Sequence, residues 1–388
     1  MRPGLTFAIP SYNMERWLPV AVESCLAQSD PDIEIVIVND GSPDRTGEIA
    51  DAYAALDPRV RVIHQENRGS GATRQAGQDA ASGEYITWVD ADDFLDRHAA
   101  RDLLDVARRD GVDMVCGNAV VFSSRSFNAR RYFSRPAVSR TTFENPNYWK
   151  SKVCWRWIFR TDWVRELGLR HHAFKFGQGA LYMFDALTRV DRFSQCPSQF
   201  YYFRQEHKGT CVNAELRIEH MLAHFAEARR ILLDAGRIKP LIKYLNENYL
   251  RDIRKTAKLL AGAPDLEAER WLDRCVELGL ETFEGLRPEW FAEEFLVPKL
   301  RPEPKLLPLA EALMERDAER AREEIRGFMP TPAKAGDPAP REGDKKHGWH
   351  ALRRRIKSLL NPLSHKARSR LRALESSAAE HLGPLWLG

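Results

Sequence analysis

Four short apolar runs alternate with helical patterns over the first 95 residues, and this alternation leaves few folds open to the chain. The apolar runs span residues 5–9, 33–40, 60–66 and 85–89. The helical patterns between them span residues 15–28, 46–56 and 69–82. A helix between two strands carries the chain back across the sheet, so that the strands pair in parallel. The sequence therefore predicts an α/β fold with a mostly parallel sheet and flanking helices.

Polar residues follow every one of these predicted strands. The strand ends read Pro10-Ser11-Tyr12, Asn39-Asp40-Gly41-Ser42, Glu66-Asn67 and Asp90-Ala91-Asp92. In an open α/β sheet, ligands bind outside the carboxyl ends of the strands. We therefore expect these residues to converge on a binding site, and the alternative is a set of ordinary polar turns.

Three carboxylates crowd the end of the fourth strand, at Asp90, Asp92 and Asp93. Carboxylates this close raise one another's pKa unless a positive charge lies among them. They are either solvated or hold a cation, and hard oxygen ligands suit Mg²⁺ or Mn²⁺.

Four segments, taken together and in order, resemble glycosyltransferase family 2, whose catalytic domain has the GT-A fold. They read IPSYNMERWLPVAVESCLAQ, IEIVIVNDGSPDRT, VIHQENRGSGATRQAG and GEYITWVDADD. The resemblance is close over residues 5–95 and thins out afterwards. It implies a nucleotide-sugar donor, most often a UDP-sugar, and a hydroxyl acceptor on a glycan or a lipid-linked glycan.

The resemblance also implies roles for the residues that contact the nucleotide. Pro10 and Tyr12 would shape the wall of the nucleotide pocket. Asp40 would accept hydrogen bonds from the base. Asn67 and Arg74 would contact the nucleotide and the acidic motif.

The acidic motif itself matches the family's Asp-x-Asp at Asp90 and Asp92. The resemblance implies that these two residues bind the donor diphosphate through Mn²⁺ or Mg²⁺. We expect Asp93 to support the loop by hydrogen bonding and not to bind the metal.

A catalytic base is missing from its usual place. Inverting members of the family take the acceptor proton with an acidic pair, commonly Glu-Asp. The equivalent position in this chain holds Gln178-Gly179, and neither residue is a base at neutral pH. Three explanations remain open: a base from elsewhere, an acceptor ionised by other means, or a weak or inactive relative. The candidate bases from elsewhere are Asp185, Glu206 and His207.

Two further segments carry candidate contacts. The segment YYFRQEHKGTC at 201–211 resembles the end of the family's catalytic domain, with three candidate phosphate contacts or else a solvated basic loop. These contacts are Arg204, His207 and Lys208. Five indole or phenol rings lie between residues 145 and 163, namely Tyr148, Trp149, Trp155, Trp157 and Trp163. Most such rings pack in cores, but we expect Trp155 first among them to line the acceptor side.

The chain divides by composition into four parts. Residues 1–212 are predicted to form the GT-A catalytic domain, with the nucleotide-binding half at about 1–95 and the acceptor half at about 96–212. Residues 213–329 carry helical periodicity. Residues 330–348 are rich in Pro, Gly and charge, which is typical of a flexible linker. A basic amphipathic tail follows at 349–388, which contains eight Lys or Arg residues and only two Glu residues.

The tail and the composition bear on location and partners. No apolar run reaches the ~18 residues of a membrane span, no signal peptide pattern opens the chain, and the six cysteines form no CxxC pair. We expect a cytoplasmic protein whose residues 349–374 contact the anionic inner face of the membrane. The alternatives are docking on the chain's own body, docking on a second subunit in a homo-oligomer, or a solvated tail. No nucleic-acid partner is expected.

The sequence as a whole predicts a metal-dependent glycosyltransferase of surface-polysaccharide biosynthesis. It would move a sugar from a UDP-sugar to an acceptor hydroxyl, with inversion implied by the resemblance alone. The alternative is a catalytically weak or inactive relative that binds nucleotide-sugars or serves as a scaffold.

Overall fold

The protein is described here from a computed structural model with defined positions for most of the chain. The described residues are 2–123, 126–130, 137–140, 153–175, 177–205, 214–261, 265–291, 307–329 and 362–382. The chain separates into two compact units, Met1–Met329 and Pro330–Gly388.

The first unit opens with the predicted alternation of strands and helices. Its elements are β1 (Leu5–Ser11), α1 (Leu18–Leu26), β2 (Ile33–Asn39), α2 (Thr46–Leu56), β3 (Val60–His64), α3 (Gly69–Ala80) and β4 (Tyr85–Trp88). These strands pair in parallel in the order β3, β2, β1, β4. The α/β prediction is therefore confirmed, and the helix and strand bounds agree with the sequence pattern to within a few residues.

The parallel register brings the strand ends to one edge of the sheet. Ser11 at the end of β1 pairs with Asn39 at the end of β2, and Ala8 of β1 pairs with Trp88 of β4. Strand β2 is buried along its whole length. A strand covered on both faces is typically an unbroken apolar run, and the sequence IEIVIVN nearly is one.

The second half of the sheet is mixed in direction. Its elements are β5 (Phe94–Leu95), α4 (Ala99–Asp110), β6 (Met114–Ser123), β7 (Ser126–Arg130), β8 (Ala137–Arg140), β9 (Trp157–Arg160), α5 (Thr161–Glu166), α6 (Gln178–Arg189) and β10 (Arg192–Arg204). Strand β9 lies antiparallel between β4 and β6, and β10 lies parallel to β6 and antiparallel to β5. The long β10 therefore reaches the loop that follows β4.

After β10, the described residues of the first unit are mainly helical. The helices include α7 (Ala214–Leu216), a π-helical turn (Arg217–Leu222), α8 (Ala223–Asp234), α9 (Ile238–Tyr244), a second π-helical turn (Leu245–Tyr249), α10 (Leu250–Leu260), α11 (Asp265–Phe283), α12 (Leu307–Met314) and α13 (Ala318–Arg326). Their apolar faces share one core with α6, to which Leu181 and Phe184 contribute. The helices thus pack on the sheet-bearing half through α6.

Residues 308–329 carry one continuous helical pattern but form two helices. The apolar pattern over 308–329 indicates a single helix, but the chain turns at Arg316, whose φ is 59°. Asp317 then caps α13, because its carboxylate accepts the backbone N–H of Arg320 at 3.0 Å. A new helix therefore begins after Asp317, although the apolar pattern continues without a break.

The second unit contributes the helix α14 (Pro362–Leu382), which begins with a proline at its first position, where the missing N–H costs nothing. Among the described residues, no helix is both long and apolar enough to cross a membrane. The described cysteines are all buried free thiols, namely Cys25, Cys116, Cys154, Cys196 and Cys275.

Candidate functional site

A cleft of about 460 Å³ opens at the carboxyl ends of β1, β2 and β4. It brings together seven of the nucleotide-binding and metal-binding residues that the sequence predicts. These residues are Pro10, Tyr12, Asp40, Asn67, Arg74, Asp90 and Asp92. The cleft arises because parallel strands end at one edge, where the loops after them must splay apart.

Asp40 lies at the end of the cleft formed by the loops after β2 and β3. It is 2% exposed, and its carboxylate accepts the backbone N–H groups of Arg68 and Gly69, each at 2.9 Å. The side chain of Gln65 donates to the same carboxylate at 2.6 Å. Three donors compensate its burial, and Oδ2, with one partner, can still accept a hydrogen bond from a ligand.

Arg74 links α3 to the acidic loop. Its guanidinium contacts Asp90 Oδ1 at 2.5 Å, and the two side chains are 13% and 23% exposed. Burial alone would lower the pKa of Arg74, but the fields of Asp90, Cys154 and Tyr201 raise it above its ordinary value. Arg74 therefore stays charged and fixes one oxygen of Asp90.

Asp93 is buried under the acidic loop at 1% exposure. Its carboxylate accepts the Tyr201 hydroxyl at 2.8 Å and the Arg204 backbone N–H at 2.7 Å. The same hydroxyl accepts the backbone N–H of Asp90 at 3.0 Å. Burial, together with Asp92 and Asp90, holds the pKa of Asp93 well above its usual range. Asp93 thus supports the loop, as the sequence predicts, and β10 supplies the partners.

Arg204 has a different place from the one expected of a phosphate contact. It is 6% exposed, and its guanidinium lies over the rings of Trp17 and Phe122, at 4.3 Å and 4.7 Å from their centroids. Its Nε donates to the carbonyl oxygen of Asp92 at 2.8 Å. The structure therefore makes Arg204 a support of the acidic loop, which sequence reasoning missed.

The acidic loop has the donor set of a shared cation site. Asp90 and Asp92 are partly exposed carboxylates on the cleft wall. Within the described ranges, no three His, Cys, Asp or Glu residues gather closely enough to hold a metal by themselves. Mg²⁺ is commonly held by one or two carboxylates and completed by substrate phosphates. The residues present fit a divalent cation that a phosphate-bearing ligand helps to bind.

Gln178 and Gly179 open α6 beside the cleft. The side-chain amide of Gln178 donates to the hydroxyl of Ser70 at 2.8 Å, and Gln178 is 7% exposed. A Cβ on Gly179 would meet only the sulfur of Cys154, at 3.9 Å, so this position has room for a side chain. Where the resemblance predicts a base, the structure thus has an amide that contacts α3 and a glycine with room for a side chain.

Asp185 lies two turns further along α6 and does not line the cleft. Its carboxylate pairs with Arg189 at 2.7 Å. Burial raises the pKa of Asp185, and Arg189 partly opposes this shift. The other candidate bases, Glu206 and His207, lie outside the described residues, as does the candidate phosphate contact Lys208.

The aromatic residues divide between core and surface. Trp157 and Trp163 are buried, at 1% and 7% exposure. Trp155 is half-buried and stacks on Tyr201, with centroids 4.2 Å apart. It therefore packs against the residue that holds the acidic loop, while Tyr148 and Trp149 lie outside the described residues.

Two cleft residues come from parts of the chain that the sequence motifs did not reach. Lys175 belongs to the loop before α6, and Leu216 ends α7 in the helical region. Neither stands in a motif, and only the packing of α6 and α8 around the sheet brings them to the cleft.

Replacing Tyr201 by Phe should destabilise the protein by about 1–3 kcal/mol, because the buried Asp93 carboxylate and the Asp90 N–H would each lose a partner. Tyr182→Phe is a matched control, since Tyr182 is also 0% exposed and its hydroxyl has no hydrogen-bond partner among the described residues. Urea unfolding of both variants checks this prediction. Equal stabilities would contradict the role given to Tyr201.

Comparison with known proteins supplies relatives for the part of the chain that forms the cleft. EpsJ of Bacillus subtilis, an uncharacterized glycosyltransferase, is 32% identical over 216 residues, which cover 53% of this chain and 62% of EpsJ. Glycosyltransferase GlyG of Streptococcus pneumoniae is 42% identical over 115 residues, which cover 29% of this chain and 38% of GlyG. The succinoglycan biosynthesis protein ExoO of Rhizobium meliloti is 29% identical over 66% of this chain and 76% of ExoO. The matched region spans less than two thirds of EpsJ and GlyG.

Solved structures match over more of the chain. TarS 1-349 of S. aureus in complex with UDP-GlcNAc superposes with a TM-score of 0.66 at 19% identity, covering 84% of this chain and 91% of that one. Its complex with UDP superposes with a TM-score of 0.64 at 18% identity. At such identities the likeness concerns the fold, and it confirms the predicted GT-A architecture with a helical C-terminal region.

The family model named Glycosyl transferase family 2 matches residues 6–168. This range contains the cleft strands β1 to β4, the Asp90–Asp92 loop and Arg74. The domain at residues 6–168 thus matches glycosyl transferase family 2, the family that the sequence motifs resemble.

Proposed function

We propose that this protein is a glycosyltransferase that moves a sugar from a nucleoside-diphosphate sugar to a hydroxyl of a glycan or lipid-linked acceptor. The observation that carries the proposal is the cleft, where Asp40, Arg74 and the Asp90–Asp92 loop meet at the strand ends of a family 2 domain. This activity is proposed for the whole protein, including the helical region at 213–329, and not for the matched domain alone.

The proposed donor is a UDP-sugar. Support comes from the solved structures of TarS, which bind UDP and UDP-GlcNAc in a related fold. In this chain Tyr12 is 45% exposed and lines the cleft together with Pro10, Asp40 and Asn67. An exposed ring next to a buried acceptor oxygen suits a planar base that carries an N–H donor.

Asp90 and Asp92 would hold the proposed Mn²⁺ or Mg²⁺, with the donor phosphates as further ligands. When bound, such a cation neutralises the diphosphate and stabilises it as a leaving group. Arg74 holds one carboxylate oxygen of Asp90, and the Tyr201–Asp93–Arg204 contacts hold the loop in place.

Asp92→Asn should lower the metal-dependent release of UDP from the protein's donor by at least about 10²-fold, since the lost charge weakens the hold on a cation worth several kcal/mol to the leaving group. The assay screens a panel of nucleotide-sugars with Mn²⁺ and crude membrane acceptors. Asp105→Asn on the exposed side of α4 makes the same change of charge away from the cleft and should leave the rate unchanged. Equal rates in wild type and Asp92→Asn would contradict the proposed role of the acidic loop.

The second candidate function is nucleotide-sugar binding without turnover. It is favoured by Gln178, whose amide is engaged with Ser70, and by the missing side chain at Gly179. Asp185, Glu206 and His207 stay candidate bases, and the inverting outcome stays a proposal from the family. Tight donor binding in calorimetry with no UDP release, even with membrane acceptors present, would favour this second function.

We further propose that the protein is cytoplasmic and meets its acceptor at the inner face of the membrane through the basic tail at 349–374. The support is the charge of the tail and its helical apolar spacing. Residues 349–361 of this segment lie outside the described residues. The division into a catalytic domain at 1–212, a helical region, a linker at 330–348 and a tail likewise stays a proposal.

Changing Arg353, Arg354 and Arg355 together to Glu should abolish sedimentation with phosphatidylserine vesicles, because each cation near an anionic surface contributes about 1 kcal/mol. Vesicles of neutral phosphatidylcholine serve as the control and should bind neither protein. If the charge-reversed variant still sediments with anionic vesicles, the tail does not act by charge.

A further inference from the structure

Lys175 is an exposed cation on the cleft wall. Arg74 also lines the cleft, but its guanidinium is taken by Asp90. Lys175 has no carboxylate within salt-bridge distance among the described residues. A cation that lines a ligand cleft without a counter-ion is available to a negative group of the ligand.

The backbone that carries Lys175 is held from two sides. On the side of α3, the Ser70 hydroxyl contacts the carbonyl oxygen of Lys175 at 3.4 Å. On the side of the helical region, the Lys175 N–H donates to Nδ1 of His220 at 3.4 Å. Burial and the Lys175 ammonium lower the pKa of His220, so its ring is neutral and can accept this hydrogen bond at pH 7.

The loop also runs close to its neighbours. A Cβ on Gly71 would stand 2.1 Å from the carbonyl oxygen of His172, so the loop and α3 are in backbone contact. A Cβ on Gly177 would stand 2.6 Å from the ring of His224 in α8. Lys175 therefore extends from a backbone that cannot drift far from the cleft.

Lys175 lies beside α3, and its place next to this helix determines which part of a ligand it can contact. Its methylene stem lies against Gly69, 3.7 Å from where a Cβ on that glycine would stand. Residues four apart on a helix are neighbours on one face, and Arg74 follows Ser70 by four positions. The Lys175 carbonyl contacts Ser70, so the backbone of Lys175 lies beside α3 about one helical turn before Arg74.

The charge of the cleft points the same way. A donor diphosphate carries about two negative charges, and the release of the sugar adds another. Two of the three cleft charges nearest the acidic loop are the carboxylates of Asp90 and Asp92, and the third is Arg74. The two carboxylates, Arg74, one divalent cation and a diphosphate together carry a net charge of about −1. The positive charge of Lys175 would balance it.

We propose that Lys175 binds the phosphates of the donor and of the nucleoside diphosphate product, as a second anchor that needs no metal. The inference rests on the proposed function, since it assumes a nucleoside-diphosphate ligand. It also gives the helical region a part in donor binding, because His220 and His224 help to place the loop that presents Lys175.

The test measures the affinity of the full-length protein for UDP and for uridine by calorimetry, with Mn²⁺ and again with EDTA. Lys175→Gln should weaken UDP binding about tenfold in both conditions and leave uridine binding unchanged, since only UDP carries phosphates. Lys175→Arg should restore most of the affinity. Lys258→Gln, on an exposed position of α10, makes the same change in net charge and should have no effect.

Each other outcome overturns the inference in its own way. Unchanged UDP affinity in Lys175→Gln would show that Lys175 does not meet the phosphates. Equal losses for UDP and uridine would show that Lys175 only shapes the wall. A loss with Mn²⁺ but none with EDTA would remove the metal-independent role. If wild type binds no nucleoside diphosphate at all, the proposed function fails together with the inference.

Discussion

The shape of the cleft at the acidic loop depends on the hydrogen bonds that the buried carboxylate of Asp93 accepts. It lies beneath two other carboxylates of the same loop, and its burial and their charge raise its pKa. It remains buried because Tyr201 and Arg204 donate to it from β10, more than 100 positions away in sequence. The Tyr201 hydroxyl also binds the N–H of Asp90, and the Arg204 side chain binds the carbonyl of Asp92. Asp90 and Asp92, which line the cleft, are thus held by buried residues that do not line it.

The parts of the site that sequence reasoning reached are those that depend on local pattern. Asp40 and Asp90 each follow an apolar run, and parallel strands must end at one edge, so their convergence needs no knowledge of packing. The supporting role of Asp93 was also expected, because the Asp-x-Asp pattern takes only Asp90 and Asp92. The sequence predicted Arg204 as a candidate phosphate contact, because an arginine beside a basic loop is typical of such a role. Only the three-dimensional structure shows it between the rings of Trp17 and Phe122.

The remaining wall of the cleft depends on contacts between distant parts of the chain. Lys175 and Leu216 reach it because α6 and α8 share a core, while the loop before α6 crosses α3 at Gly71. No spacing in the sequence predicts that this loop crosses α3, because a glycine within a helix can have several structural causes. The helical region therefore adds side chains to the same cleft that the strand ends begin, and Gln178 stands where the two meet.

We propose that the acidic loop holds a cation only together with a nucleoside diphosphate. The most direct measurement follows free Mn²⁺ by electron paramagnetic resonance while the protein is titrated in, with and without UDP. Two carboxylates alone should bind Mn²⁺ weakly, and UDP should tighten binding by at least about tenfold beyond its own affinity for the ion. Mn²⁺ binding of equal strength with and without UDP, or none in either case, would contradict this account of the site.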